Sequence, residues 1–258
     1  MKRFIFGGTS EGRAMCEKYL AAGDQVAVCV TSEYAKALVP PGATVHAQAM
    51  DAAQMIDAVR AFAPDELIDA THPYAEKARE NIRACAEATG VSLTRIERAG
   101  AREGGEGARG AGEGEIGAAD GITWARDAGE AARALSDTRG NILLTTGSHT
   151  AEVYLSALDP ARVYLRVLPT ASVMQKMEAL GVLPGHLIAM QGPFSEALNG
   201  ALYDQFSIRH VVSKDSGVPG GVPEKLAAAR ARGIHFIMIA RPTEIGQAAR
   251  EGQRLSEQ

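Results

Sequence analysis

Short apolar runs alternate with longer amphipathic segments along almost the whole chain, and no other feature restricts the fold as much. Arg3–Phe6, Gln25–Val30, Thr44–His46, Glu66–Ile68 and Ser92–Ile96 read as strands. Between them, Glu11–Ala22, Glu33–Leu38, Asp51–Phe62 and Ala75–Thr89 carry helical periodicity. Parallel strands need a crossover of about a dozen residues or more, usually a helix, so this order predicts β-α-β units in a doubly wound sheet. Residues 99–121 interrupt the pattern with recurrent Gly among Ala, Arg and Glu, a composition that buries too little to offset its ordering entropy. Alternation then resumes, with strands at Ile122–Ala125, Asn141–Thr145, Arg162–Leu168, His186–Met190, His210–Val212 and His235–Ile239. The helices among them are Ala128–Leu135, Thr150–Leu158, one opened by the capping-box spacing Ser172–Gln175, one capped by Ser195, and one with Pro223 in its first turn running to Ala231. The expectation is an α/β protein of two Rossmann-like domains with mainly parallel sheets. These are residues 1–98 and residues 122–258, with a Gly-rich linker or insertion at 99–121.

Charge and cysteine usage exclude several classes. A formal net charge of -4 leaves no basic excess to neutralise a phosphate backbone, so no nucleic-acid partner is expected. Cys16, Cys29 and Cys85 lack C-x-x-C spacing and read as small buried hydrophobes in a reducing compartment, with neither a disulfide nor a metal site. The apolar run after Met1-Lys2-Arg3 stops at Gly7-Gly8, too short for a signal peptide, and no later stretch approaches a membrane span. A cytoplasmic protein with no membrane partner is expected; the sequence does not indicate an oligomeric state.

In an open α/β sheet, ligands bind at the carboxyl ends of the strands, so the turns there carry the functional signal. Gly7-Gly8-Thr9-Ser10-Glu11-Gly12 follows the first strand where a dinucleotide fingerprint belongs. Gly7 and Gly12 fit the first and third glycines of G-x-G-x-x-G, and Thr9 stands at the middle one. Backbone N–H groups at the helix start, with the Thr9 and Ser10 hydroxyls, could hold a phosphate; the plainer alternative is a tight βα turn with Ser10 as helix cap. After the second strand, Thr31 and Ser32, with Lys36 nearby, could accept a 2′-phosphate, and Glu33 could instead bind a ribose diol. The turn Asp69-Ala70-Thr71-His72-Pro73-Tyr74 joins an acid, a hydroxyl, an imidazole and a phenol, stiffened by Pro73. A turn built only to reverse the chain would more often use Gly, Asn, Asp and Ser.

The second half repeats the theme. Thr145-Thr146-Gly147-Ser148-His149, Gln191-Gly192-Pro193-Phe194-Ser195, Ser213-Lys214-Asp215-Ser216-Gly217 and Ala240-Arg241-Pro242 each follow a strand. Lys214 and Arg241 make that edge locally positive, which suits a polycarboxylate or phosphate, unless acids or solvent partner them. His46, His186 and His235 sit on or beside strands and read as structural. Met174 and Met177 read as core filling, and Glu76, Arg79 and Glu80 as a solvated helix face.

Together these turns resemble the precorrin-6A reductases of cobalamin biosynthesis. The resemblance is carried by Gly7–Arg13, Asp69–Ala75, Thr145-Thr146-Gly147, Gly192-Pro193-Phe194, Lys214-Asp215-Ser216-Gly217 and Ile239-Ala240-Arg241-Pro242. It runs nearly end to end apart from 99–121, and the Asp-Ala-Thr-His-Pro segment is its most specific part. Val30–Tyr34 and Asn81-Ile82-Arg83 look closer to the cobalt-precorrin branch. The resemblance implies transfer of a hydride from NADPH, or NADH, to a tetrapyrrole polycarboxylate, saturating one macrocycle double bond. It makes residues 1–98 the dinucleotide-binding domain, with Gly7, Gly8, Thr9, Ser10, Glu11, Gly12, Thr31, Ser32 and Thr71 at the coenzyme, and places Thr146, Gly147, Ser195, Lys214, Ser216 and Arg241 at the macrocycle, in a ligand cleft between the two domains. His72 and Tyr74 are then the candidate proton donors, beside solvent, with the imidazole having the better-suited ordinary pKa.

Three other functions make different demands on the residues. A short-chain dehydrogenase needs Tyr-x-x-x-Lys, and no tyrosine here has a lysine four residues on. A nucleotide sensor would need the first turn but not the polar clusters of the second half. A Rossmann-like methyltransferase would bind S-adenosylmethionine instead of a nicotinamide. Only hydride transfer accounts for both halves.

Overall fold

The structure, a computed structural model, describes residues 1–96 and 121–241. Chain contacts divide it into two units, residues 1–98 and 99–258. The expected Gly-rich linker at 99–121 lies outside the described residues except for Gly121, as does Pro242.

Unit one runs β1 (Lys2–Phe6), α1 (Ser10–Ala21), β2 (Gln25–Val30), α2 (Glu33–Lys36), β3 (Thr44–Ala47), α3 (Ala52–Phe62), β4 (Glu66–Asp69), α4 (Glu76–Thr89) and β5 (Ser92–Arg95). Its five strands are all parallel in the order β3-β2-β1-β4-β5. The period-two alternation of strand side chains splits each strand between two cores. Phe4, Phe6, Ala27, Cys29 and Leu67 face Met55, Val59, Ile82 and Cys85, which α3 and α4 supply. Ile5, Val26, Val28, Val30 and Ile68 face the opposite way, against Cys16 of α1. Burying each of the larger side chains contributes about 1.5–3 kcal/mol, and a sheet covered on both faces explains why these strands read as continuous apolar runs. All three cysteines are free and buried, and burial pushes the Cys29 thiol up to about 11, so it behaves as a hydrophobe.

Unit two runs β6 (Ile122–Ala125), α5 (Ala128–Ser136), β7 (Asn141–Leu144), α6 (Ala151–Ala157), β8 (Val163–Val167), α7 (Ala171–Ala179), β9 (Leu187–Ala189), α8 (Glu196–Gln205), β10 (Ile208–Lys214), α9 (Val222–Arg230) and β11 (His235–Ile239). Its six parallel strands are ordered β6-β11-β10-β7-β8-β9. Leu143, Val211, Phe236 and Met238 share one core with Tyr203, Ala228 and Ala229 from α8 and α9.

Several local expectations change. Thr9, not Ser10, caps α1, its hydroxyl accepting the Gly12 N–H. Thr170, not Ser172, caps α7, accepting from Val173; in both cases a neighbouring hydroxyl has the extended backbone that a cap requires. β10 extends two residues past its expected end, so Ser213 and Lys214 lie on the strand. Glu76 and Glu80 are exposed as read, but Arg79 is buried, because it stands three residues before Ile82 on the inward stripe of α4.

The histidines read as structural do pack. His46 stacks on Phe4, and His186 stacks on Tyr164. His235 and His210 lie side by side in register on β11 and β10, with their Nδ1 atoms 3.2 Å apart. His210 Nε2 faces the Arg139 carbonyl at 2.9 Å and must therefore carry a proton, which leaves its Nδ1 to accept from His235. His235 Nε2 then accepts from the Thr123 hydroxyl at 2.7 Å. Burial pushes both imidazole pKa values down. The sign follows: as pH falls below about 6.5 the unfolded chain takes up protons that the folded pair resists, so acid destabilises the fold. The melting temperature of the wild type should therefore drop more between pH 7.5 and about 5.5 than that of His210→Gln, by on the order of 2–4 °C, measured by calorimetry.

Candidate active site

In unit one, β1 leads outward through β2 to β3, and β4 leads to β5 on the other side, so strand order reverses between β1 and β4. The crevice at the carboxyl ends of such a pair is where doubly wound sheets bind ligands. The two turns there are Gly7–Gly12 and Asp69–Tyr74. A hydrogen bond ties them together: the Thr9 hydroxyl donates to the Ala70 carbonyl at 2.7 Å while accepting the Gly12 N–H at 3.1 Å. Its one proton is committed, so Thr9 shapes the crevice and has no proton left to offer a phosphate. A Cβ on Gly12 would stand 3.3 Å from the Ala70 Cβ and 3.4 Å from the Gly7 Cα, so glycine lets α1 close on β4. Gly8 has φ +105°, and no atom lies within 4 Å of where its Cβ would be. An open, left-handed glycine below the first-turn N–H groups of α1 fits a dinucleotide pyrophosphate, since those N–H groups have no intrahelical partner.

Asp69 organises the second turn. Its buried carboxylate accepts from the Thr71 N–H at 3.0 Å and the Thr71 hydroxyl at 2.6 Å, and pairs with Arg95 of the adjoining strand at 2.6 Å. The next residues are thereby held: Tyr74 N–H donates to His72 Nδ1 at 3.3 Å, and the two rings lie 5.6 Å apart. That contact places the proton of a neutral His72 on Nε2. Thr31 and Ser32 follow β2 at the same edge; Ser32 caps α2, accepting from Ala35, and Glu33 pairs with Lys36 at 3.2 Å. The Ser10 hydroxyl donates to Glu11 at 3.0 Å.

Unit two has its own reversal, between β7 and β10. The turn after β7 begins with Thr145, whose N–H and hydroxyl both donate to Val212 O, and continues to Thr146, which accepts from Thr150 at 2.9 Å. Gly147 (φ 82°, ψ -178°) and Gly217 (φ 67°, ψ -166°) occupy a region that is essentially glycine's alone, each introducing a 3-10 turn. Lys214, its pKa lowered by burial, and Ser216 follow on β10 and its turn. Ser216 turns inward, toward Lys214 O at 3.5 Å and against Gly220, where any Cβ would collide with its hydroxyl. Arg241 donates to Asp215 O at 3.0 Å and lies 3.5 Å from its carboxylate, so an acid partners it. Ser195 caps α8 beyond β9 as expected. The structure thus gathers the expected unit-one residues on one sheet edge and the expected unit-two residues on the corresponding edge of the second sheet.

Two basic residues escaped the reading of turns. Arg166 lies inside β8 and Lys225 on α9, each only 6 % exposed. The available signal was a charge within the apolar run Val163–Val167, and a lysine on the inward stripe with Val222, Ala228 and Ala229. Among the described residues no cluster of His, Cys, Asp or Glu could hold a metal, and no helix is long and apolar enough to cross a membrane.

A family model described as precorrin-6x reductase CbiJ/CobK matches residues 3–257. A cobalt-precorrin-6A reductase from Priestia megaterium is 33 % identical over 242 residues, covering 92 % of this chain and 89 % of that protein. One from Salmonella typhimurium is 34 % identical over 242 residues, covering 93 % and 88 %. Among solved structures, a CobK precorrin-6A reductase superposes with a TM-score of 0.74 at 25 % identity, covering 94 % of this chain and 89 % of that one. With the two crevice turns in place and a match spanning both units, the chain belongs to the precorrin-6x reductase family.

Proposed function

We propose that the protein reduces one carbon–carbon double bond of the cobalt-precorrin-6A macrocycle with NADPH as reductant. The observation that carries this is the lock between the two crevice turns, Thr9 to Ala70, which sets a dinucleotide-type glycine turn beside His72 and Tyr74. A bound nicotinamide supplies the hydride. Gly8, Gly12 and the first turn of α1 hold the pyrophosphate, with Ser10 and Glu11 at its rim. Thr31 and Ser32 favour the 2′-phosphate, because the Ser32 hydroxyl keeps its proton to donate and the charge of Glu33 is offset by Lys36. Thr71, pinned by Asp69, faces the same crevice edge.

No nucleophile is required; most of the rate comes from aligning donor and acceptor carbons and excluding water. The carbon beside the hydride acceptor needs a proton, and we assign its delivery to His72 through Nε2 or to the Tyr74 phenol. Thr146, Gly147, Ser195, Lys214, Ser216 and Arg241 bind the macrocycle's carboxylate-bearing rim, Ser216 and Arg241 chiefly by shaping the loop. The test is anaerobic: cobalt-precorrin-6A and its metal-free form are each mixed with NADPH or NADH while coenzyme and tetrapyrrole absorbance are followed together. Coupled oxidation and spectral change, fastest with the cobalt form and NADPH, is expected. Coenzyme binding without reduction of either tetrapyrrole would overturn the substrate assignment.

A further inference from the structure

Arg166 and Lys225 present an electrostatic problem that the fold alone does not answer. Both are basic and buried, and among the described residues no carboxylate lies within ion-pair distance of either. The Arg166 guanidinium stacks 4.2 Å over the Phe194 ring, and one corner donates to Asn199 Oδ1 at 2.8 Å. Asn199 cannot turn away, because its Nδ2 donates to Phe194 O at 3.2 Å and Ser195 O at 2.9 Å. The guanidinium is therefore aimed, yet it has five N–H donors and this contact uses one. Lys225 Nζ donates to Gly220 O at 2.8 Å and Ser213 Oγ at 3.3 Å, both neutral acceptors, and the charge of Glu224 on the same helix offsets its own only in part. The nearby acid, Glu224, hydrogen-bonds neither, and its Oε2 is buried without a partner. Burying cations is costly unless an anion accompanies them.

The geometry points to a carboxylate pocket in unit two, in which Arg166 grips one acidic side arm of the tetrapyrrole and Lys225 adds its charge. This rests on the reductase reading above. The pocket lies at the carboxyl ends of β8 and β10, beside the β7–β10 reversal, where the family's Gly192-Pro193-Phe194 and Lys214–Gly217 segments also stand. A planar fork held over an aromatic ring matches a carboxylate in two-point fashion, which a lysine at the same place would not. The coenzyme's phosphates have their own cradle at Gly8, which leaves this pocket to the substrate.

Lys225 supplies a signature that a purely structural cation would lack. Burial and the positive field of Arg166 on β8 lower its pKa to about 7, and Glu224 on its own helix opposes this. The Tyr203 hydroxyl on α8 contacts only its carbonyl, and Ser213 on β10 is uncharged. As pH rises through about 7 the ammonium is lost, so tetrapyrrole affinity should fall over that interval while NADPH affinity does not follow it.

The experiment measures Kd for uroporphyrin III, a tetrapyrrole octacarboxylate, and for NADPH by fluorescence titration from pH 6 to 9, with KM and kcat for cobalt-precorrin-6A beside them. Arg166→Gln is expected to weaken tetrapyrrole binding about 10- to 100-fold with little change in NADPH binding, and Arg166→Lys should recover only part of the loss. Lys225→Met should flatten the pH dependence. Phe194→Leu, at a partly exposed position, keeps both charges and removes the stack, so it reports even where Arg166→Gln does not fold; it should raise the tetrapyrrole Kd in the same direction. Folded Arg166 variants with unchanged tetrapyrrole affinity, or variants that weaken NADPH instead, overturn the pocket. A wild type that binds NADPH but no tetrapyrrole overturns the substrate reading and the pocket with it.

Discussion

Asp69→Ala is expected to remove reductase activity by about two orders of magnitude and to lower stability by about 2–4 kcal/mol, measured by anaerobic turnover and urea unfolding. The side chain holds three donors, the Thr71 N–H, the Thr71 hydroxyl and Arg95, at distances of 3.0, 2.6 and 2.6 Å. Truncation leaves the two Thr71 donors without an acceptor and Arg95 without its anion. Arg95 keeps a path to solvent, its side chain being 23 % exposed, which holds the cost below that of a fully buried orphan charge. The loss of activity has a separate origin: His72 and Tyr74 follow the pinned Thr71 directly, and a displacement of about 1 Å at a reacting centre costs roughly a hundredfold. The two effects can be parted. Adding Arg95→Leu to Asp69→Ala removes the orphaned charge and should restore part of the stability, while activity stays lost because the turn is still unpinned. Recovery of activity in the double variant would show that Asp69 matters only as an ion-pair partner.

The behaviour of Asp69 shows what the amino-acid order could and could not disclose. Its place in an unusual turn was visible, because a strand signal ended in a cluster of acid, hydroxyl, imidazole and phenol. That it serves the turn was not, because its main partner, Arg95, lies 26 residues away and meets it only once β4 and β5 pair in register. Thr9 is the same case: it reads as a flawed glycine, and its use appears only when Ala70 arrives beside it. The strands and helices themselves were readable, since period-two and period-3.6 patterns are local. Even the caps expected at Ser10 and Ser172 lie only one and two residues from those observed at Thr9 and Thr170. Sheet order was not readable, yet it decides the site, because the reversals at β1/β4 and β7/β10 bring to the crevices the turns that the motifs had marked. Arg166 and Lys225 were passed over for another reason: attention to turns favours exposed polar clusters, whereas these two announce themselves as charges inside apolar stripes.

The glycine turn gives the other large effect, and it is graded by size. At Gly12 a Cβ would meet Ala70 and Gly7 at 3.3 and 3.4 Å, so alanine needs only a shift of a few tenths of an ångström. Valine adds two methyl groups to the same gap, which must push α1 away from β4 and pull Thr9 off Ala70. Overpacking of this kind costs about 1–3 kcal/mol, and the loss of the Thr9 lock should lower NADPH affinity at least about tenfold, a loss of some 1.4 kcal/mol of binding free energy. At Gly8 space is not limiting, but a β-branched side chain at φ +105° is strained by about 1–3 kcal/mol, and its methyls would occupy the cradle. Gly8→Val should therefore lose coenzyme affinity by more than its stability change accounts for. Gly23 provides the control: it also has positive φ and open space around it, but it follows the far end of α1. Gly23→Ala should lower the melting temperature and leave the NADPH Kd within error of the wild type. Coenzyme titration with a parallel thermal melt across the four variants separates these outcomes. An NADPH affinity that tracks stability equally at positions 8, 12 and 23 would mean that the turn is a packing device alone and that the coenzyme binds elsewhere.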